Sequence, residues 1–453
     1  MIKNKAGQTK KMYMGVYGCQ MNLSDAERME GLLRTIGYEK TTAMEEADLI
    51  LLNTCCVRES AEDKVYGKIG EIKHLKKEKA GLIFGIAGCM AQKEGNRLIK
   101  RAPHIDFVLG TNKFNQLIPA IMELEAKRAR HVVDIDWTEA QMPEGLPVVR
   151  EGRLSAWIPI MFGCDNFCTY CIVPYVRGRE RSRRPEDIIN EIRQATAEGF
   201  REITLLGQNV NSYGKDHQQA DFPDLLKMAD EIEGIARIRY MTSHPKDLSH
   251  KLIETVRDSR HICEHFHVPV QYGSDKILKA MNRGYSLARY RELVRDIRET
   301  VPGASLTTDL IVGFPGETEE DFSELLDFVR EIRYDAAYTF LYSTRSGTPA
   351  ANMANQVPSA VKKERLRRLM AVQDEISREI NEKYRDHTVE VMVEGSSANN
   401  ESVWTGRTRT NKIVLWARQG SERPGDLAEI KITQPQTWLL KGTFVRVRKE
   451  IDG

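Results

Sequence analysis

Residues 155–171 read SAWIPIMFGCDNFCTYC, an apolar strand-like run that ends at three cysteines, Cys164, Cys168 and Cys171. Their spacing is C-x3-C-x2-C. Three thiolates so placed can hold three irons of a [4Fe–4S] cluster and leave the fourth iron open. An open iron is what a chelating amino-acid substrate needs. A structural zinc site usually takes four ligands in paired spacings, and no fourth Cys or His follows nearby. The bland alternative is three loop cysteines with no ligand role. Their place just after a strand, at the edge where barrel enzymes put their chemistry, favours the cluster.

Working outward, strand-like segments recur as REITLLGQN, ARIRYMTS, HFHVPVQ, ASLTTDLIVGF and AAYTFLYS, with helical patterns between them. Six strands with intervening helices predict a partial or full β/α barrel over residues 154–383. The helical run VKKERLRRLMAVQDEISREINEKYRDH ends it. Beyond it the texture changes to TVEVMVEG, KIVLWARQ, LAEIKITQPQ and TFVRVRKE, which predicts a small all-β barrel over 384–450. Upstream, residues 137–153 (WTEAQMPEGLPVVREGR) read as a linker. Residues 11–136 alternate strands and helices and predict a doubly wound parallel sheet. There, Ser24 with Glu27 has the pattern of a helix-opening capping box.

The chain has 453 residues, 41% hydrophobic and 29% charged, as expected of two to four soluble domains. No run of about 18 apolar residues marks a membrane span. The start, MIKNKAGQTKK, lacks the apolar core of a signal peptide, so the expected location is cytoplasmic, away from membranes. Net charge is only +2, from 67 basic and 65 acidic residues. Any nucleic-acid footprint must therefore be local. Eight cysteines in a reducing compartment favour ligation or catalysis over disulfides.

Cys19, Cys55 and Cys89 each end an apolar strand of the first domain: KMYMGVYGC, ADLILLNTC and GLIFGIAGC. Strand ends of a parallel sheet share one edge, so the three can converge on a second cluster with an open iron. Position rather than spacing makes this case, since buried cysteines without ligands are common. Cys56 follows Cys55 directly, and spacing alone does not choose between them. Adjacent residues at a strand end point opposite ways.

The cysteine run at 164–171, C-x3-C-x-aromatic-C after a first barrel strand, resembles the radical S-adenosylmethionine (SAM) superfamily. The segments YGCQMNLSDAERM, LLNTCCVRE and AGCMAQ are similar to the methylthiotransferase family, and the resemblance covers almost the whole chain, down to a carboxyl-terminal RNA-binding TRAM barrel. It is closest to the branch that makes 2-methylthioadenosine in tRNA. The ribosomal-protein branch usually has Pro-Lys where this chain has Gln20-Met21. The resemblance implies two [4Fe–4S] clusters, an auxiliary one on Cys19, Cys55 and Cys89 and a SAM-cleaving one on Cys164, Cys168 and Cys171. The family's Asn-Thr-Cys motif points to Cys55, which leaves Cys56 to packing. It also implies SAM as radical source and methyl donor, with Tyr170, Gln208 and Asp309 bordering its pocket. The implied reaction takes hydrogen from adenine C2 of an isopentenylated adenosine beside the anticodon. That carbon has no acidic proton, so acid–base chemistry cannot activate it. Partners would be the tRNA anticodon stem-loop, an electron donor, and a sulfur or cluster-repair donor. Rival substrates are threonylcarbamoyladenosine in tRNA or a ribosomal-protein aspartate. A rival from another class is an RNA-binding protein with an inert cluster.

Arg177, Arg179, Arg181, Arg183 and Arg184 crowd a loop just after the cluster motif, and Arg407, Arg409, Arg446 and Arg448 lie in the small β domain. These are the candidate RNA-phosphate contacts, weighed against solvated or internally paired charge. Two departures and a decoy remain. Tyr272 stands where the family usually has a small residue. GFPGETEEDF lacks the lysine of a phosphate loop, so Thr318 and Asp321 are expected simply to open a helix. His261, Cys263, His265 and His267 alternate along one strand and cannot readily close a metal tetrahedron.

Overall fold

The computed structural model describes residues 9–56, 59–137, 144–150, 154–217 and 219–448. Six parallel strands form the first sheet: β1 (Lys10–Tyr17), β2 (Tyr38–Lys40), β3 (Leu49–Thr54), β4 (Ile83–Gly88), β5 (Phe107–Leu109) and β6 (Val132–Asp134). Their order is β2-β1-β3-β4-β5-β6. β3 is buried along its whole length because helices cover both faces of the sheet. β1, β3 and β4 are neighbours, so the cysteines that follow them meet at one edge. The first helix, Gln20–Thr35, starts earlier than the Ser24 pattern predicts: Cys19 is its N-cap. Ser24 lies inside the helix, where its hydroxyl accepts from Arg28 and donates to the Trp157 carbonyl of the next domain.

The second unit begins with β7 (Ser155–Pro159) and a small ribbon of β8 (Met161–Phe162) and β9 (Arg181–Ser182). It continues with β10 (Glu202–Leu206), β11 (Arg237–Tyr240), β12 (His265–His267), β13 (Ser305–Val312) and β14 (Ala336–Leu341). β7, β10 and β11 pair in parallel, as do β12, β13 and β14, and an Ile238–Ile262 bridge joins the two sets. The result is an open six-stranded β/α barrel. Thr318 and Asp321 form the capping box of helix Glu319–Ile332, as the sequence predicts. Helix Ser359–Glu382 packs outside β14. Tyr272 lies wholly in the core between strands and helices.

The carboxyl-terminal barrel is closed, in the order β15-β16-β17-β19-β18. Its strands are β15 (Thr388–Ser397), β16 (Asn400–Arg407), β17 (Ile413–Ala417), β18 (Leu427–Pro435) and β19 (Leu440–Val447). The sequence pattern predicts four strands and misses β16, whose NESVWTGR opens on polar residues and alternates only in its second half.

Of the linker 137–153, residues 138–143 and 151–153 lie outside the described residues; Val149 donates to the Glu27 carbonyl of the first helix. Around it, Glu191 receives three arginines: Arg28 from the first domain, Arg150 from the linker and Arg183 from the barrel. Burial opposes the charge on Glu191, and the three cations overcome it and hold its carboxyl below the ordinary range.

The small barrel docks on the amino-terminal edge of the β/α barrel, opposite the cysteines. Arg239 of β11 donates to the Thr408 and Arg409 carbonyls at 2.8 and 3.1 Å and pairs with Glu202. Arg409 pairs with Glu264 beside β12, and Lys412 with Asp335 beside β14. Replacing the buried Arg239 by Ala strands a carboxylate and two carbonyls. It is expected to cost about 3 kcal/mol, read as a lower urea midpoint with faster proteolytic release of the small barrel.

Candidate cluster and SAM site

The Cys164–Cys171 loop leaves β8 and is held from outside by the segment 280–283. Thr169 donates from its backbone to the Met281 carbonyl and from its hydroxyl to the Ala280 carbonyl. Asn282 donates to the Asn166 and Phe167 carbonyls, which steadies Phe167 in the left-handed region at φ +44°. Arg283, buried, donates to Cys168 Sγ at 3.3 Å, to Tyr170 Oη at 3.4 Å and to the Pro269 carbonyl at 2.6 Å. Sequence reasoning missed Arg283. Nothing in MNRG separates it from a surface turn.

Burial pushes the Cys171 thiol up to about 12, aided by its neighbour Cys168, and burial raises Cys164 too. Burial thus disfavours the Cys164 and Cys171 thiolates unless a metal group brings positive charge, and three thiols on one loop fit an iron–sulfur cluster. Beside it, at the carboxyl ends of β10 and β11, Gln208 Oε1, Asn211 Oδ1, Ser243 Oγ and His244 Nε2 are buried without hydrogen-bond partners. A cluster of open polar atoms of this kind can take a polar ligand, and Gln208 belongs to it. Tyr170 lies against Arg283. Asp309 faces the barrel interior, 3.6 Å from His267.

In the first domain Cys19, Cys55 and Cys89 come to the one edge that the strand-end argument requires. Gly18 and Gly88 allow it: a Cβ on Gly18 would sit 2.6 Å from the Cys55 Cβ, and one on Gly88 would sit 2.4 Å from Asn53 Oδ1. A hydrogen bond from Cys55 takes the thiol of Cys19, the exposed member of the three, down to about 5, with help from the Arg177 cation. One from Cys56 takes Cys89 down to about 7, against burial and with Arg177 assisting. Cys56 is wholly buried among Cys89, Ile172 and Val176. Cys55 therefore faces Cys19 while Cys56 faces Cys89. Among the described residues no three His, Cys, Asp or Glu groups could hold a single metal ion. A cubane asks for a wider tripod, since each thiolate binds a separate iron.

Of the alternating residues only His265 and His267 lie on β12; His261 and Cys263 precede it. His265 and His267 both bond Thr307 Oγ1, and His261 bonds Asp230.

The candidate RNA arginines divide. Arg177 is buried and paired with Asp25; Arg183 is buried against Glu144 and Glu191; Arg409, partly exposed, pairs with Glu264 at the domain interface. Internal carboxylates and carbonyls hold all three. Arg181 is half-buried, and Arg407 pairs with Glu394. Arg179, Arg446 and Arg448 are exposed, each in a surface pair that RNA phosphate can displace at little cost.

Models of three families match the chain: the Radical SAM superfamily over residues 158–329, Uncharacterized protein family UPF0004 over 11–110, and the TRAM domain over 382–445. A tRNA-2-methylthio-N(6)-dimethylallyladenosine synthase of Desulforamulus reducens is 50% identical over 98% of this chain and 97% of its own. The chain belongs to the radical SAM methylthiotransferases. Another synthase of the same description, from Carboxydothermus hydrogenoformans, is 50% identical over 96% of this chain and 99% of its own. Among solved structures, the radical SAM methyltransferase TsrM of Kitasatospora setae matches with a TM-score of 0.57 at 14% identity, over 76% of this chain and 75% of that one. That likeness shows the fold. Membership of the radical SAM methylthiotransferases brings with it SAM and two [4Fe–4S] clusters as cofactors.

At φ +92° and with Asn53 so close, Gly88→Ala should strain the edge that presents Cys89 by about 1–3 kcal/mol. Bound iron is expected to fall from about eight toward about four per chain. Formation of 5′-deoxyadenosine from SAM and dithionite should persist.

Proposed function

We propose that the protein methylthiolates C2 of N6-dimethylallyladenosine beside the anticodon of tRNA, with Cys19, Cys55 and Cys89 holding one cluster and Cys164, Cys168 and Cys171 the other. The observation that carries this reading is the pair of three-cysteine edges in a chain half identical, end to end, to synthases of that product. When bound, the 164–171 cluster would supply the electron that splits SAM into methionine and a 5′-deoxyadenosyl radical, and the auxiliary cluster would supply iron for sulfur. Arg283 holds the Cys168–Tyr170 stretch in place. Gln208, Asn211, Ser243 and His244 offer their open polar atoms to SAM, and the barrel interior receives the base.

That interior is partly aromatic. On β13, Leu306 and Leu310 pack outward on helices, while Thr307 and Asp309 line the other face with His265 and His267. On the edge strand β14, Tyr338 and Phe340 are exposed on this inner face, and Tyr338 meets the His267 ring edge-on. Such a surface suits a purine and an apolar prenyl tail. A threonylcarbamoyl carboxylate would meet Asp309 there without an assured cation. Arg179 lies near the cluster, whereas Arg446 and Arg448 lie on the barrel docked at the far edge. An RNA touching all three must run along the side of the molecule. The electron donor and the sulfur source are separate partners.

Reconstituted without oxygen, the protein should bind about eight irons, four per cluster. Replacing Cys164, Cys168 and Cys171 together by Ala should halve that number. Cys19→Ala, Cys55→Ala or Cys89→Ala should leave reductive SAM cleavage intact and abolish the methylthio product. Cys56→Ala should stay active; an inactive, iron-poor Cys56→Ala beside an active Cys55→Ala reverses the ligand choice.

The substrate is tested by competition. Equal amounts of anticodon-loop RNA bearing dimethylallyladenosine, threonylcarbamoyladenosine or plain adenosine are offered, and methylthiolated nucleosides are quantified by mass spectrometry. The prenylated loop should dominate by a factor worth several kcal/mol, beyond the ~1–3 kcal/mol of a single methylene. Preferred turnover of the threonylcarbamoyl loop moves the substrate to that base. No RNA product, with SAM cleavage intact, points to a protein substrate.

A further inference from the structure

Arg177 belongs by sequence to the SAM-cleaving loop, six residues after Cys171, yet its side chain ends in the other domain's cysteine site. The short helix Val173–Arg177 packs on the helix Cys89–Glu94 of the first domain. Ile172 and Val176 cover Cys56 and Cys89. The guanidinium is 3% exposed and donates to Asp25 Oδ2 at 2.9 Å. Val176, the residue before it, packs on Cys56 and Cys89, which brings the charge beside the auxiliary cysteines. A buried arginine with one carboxylate partner and thiols on its other side contributes more than docking. The potential of an iron–sulfur cluster depends on the net charge around it and on hydrogen bonds to its sulfurs.

We propose that Arg177 is a positioning residue by which the SAM-cleaving domain controls the auxiliary cluster, clamping the two sites together through Asp25 and fixing a positive charge against the auxiliary thiolates. The inference rests on the reading of Cys19, Cys55 and Cys89 as cluster ligands. Reducing the auxiliary cluster adds negative charge beside this cation, so the cation favours the reduced form. Asp25 offsets part of that effect. The two residues therefore push the potential in opposite directions, which separates an electrostatic role from a structural one.

The test uses the full chain, reconstituted without oxygen, with Cys164, Cys168 and Cys171 replaced by Ala so that only the auxiliary cluster reports. This parent must first bind about four irons; failure there overturns the ligand reading itself, and the inference with it. Midpoint potentials are then measured by redox titration followed by electron paramagnetic resonance. Arg177→Met is expected to lower the potential, Arg177→Lys to restore most of it, and Asp25→Asn to raise it. Urea unfolding of the apo forms is run alongside, because a purely structural pair would lower stability in Arg177→Met and Asp25→Asn alike without moving the potentials apart. If Arg177→Met fails to hold iron, Asp25→Asn and Arg177→Lys still decide: a raised potential in the first and a near-parental one in the second support the proposal. Potentials that do not move, or that move the same way in iron-replete Asp25→Asn and Arg177→Met, overturn it.

Discussion

A parallel sheet delivers the carboxyl end of every strand to one edge, and this molecule depends on two such edges held across a single seam. The seam is built largely from charge. Arg177 crosses it to Asp25, and Arg28, Arg150 and Arg183 converge on Glu191 from three parts of the chain. Buried charges are costly unless every one is matched, so a small opening of the seam would leave several of them stranded. The relation between the two cysteine sites is therefore set by pairs that tolerate little displacement.

The sites on either side differ in their electrostatics. Burial drives Cys171 up to about 12, opposed by the Val173 backbone N–H and the Arg283 cation. Across the seam a neighbouring thiol and Arg177 bring Cys19 down to about 5 and Cys89 to about 7. Each set has a buried arginine in its wall, Arg283 at Cys168 and Arg177 beside the auxiliary cysteines. One set lies beside open polar atoms, and the other beside the Arg177–Asp25 pair.

The small barrel contributes from the opposite end. Arg239, Arg409 and Lys412 spend their donors on docking it to the amino-terminal edge of the β/α barrel. Basic residues in a domain expected to bind RNA thus serve two purposes, and sequence does not separate them. Whether a cation faces a carboxylate across an interface or a phosphate in solution depends on which surfaces fold together.

Much of this was legible in the chain itself. Apolar runs punctuated by turns located all six barrel strands, and each of Cys19, Cys55 and Cys89 was placed by the strand it ends, because strand direction alone sends those ends to one edge. The 164–171 spacing is local and needs no fold to be read. β16 escaped because its first half is polar, and Ser24 misled because Cys19 caps the helix a turn earlier. What the tertiary structure alone decided is pairing across long separations. Arg177 and Asp25 lie 152 residues apart, and Arg283 lies 115 from Cys168. An arginine carries the same charge and the same donors wherever it stands in the sequence. Only the packing that excludes water around it determines whether it binds RNA, seals a domain seam or holds a cluster loop.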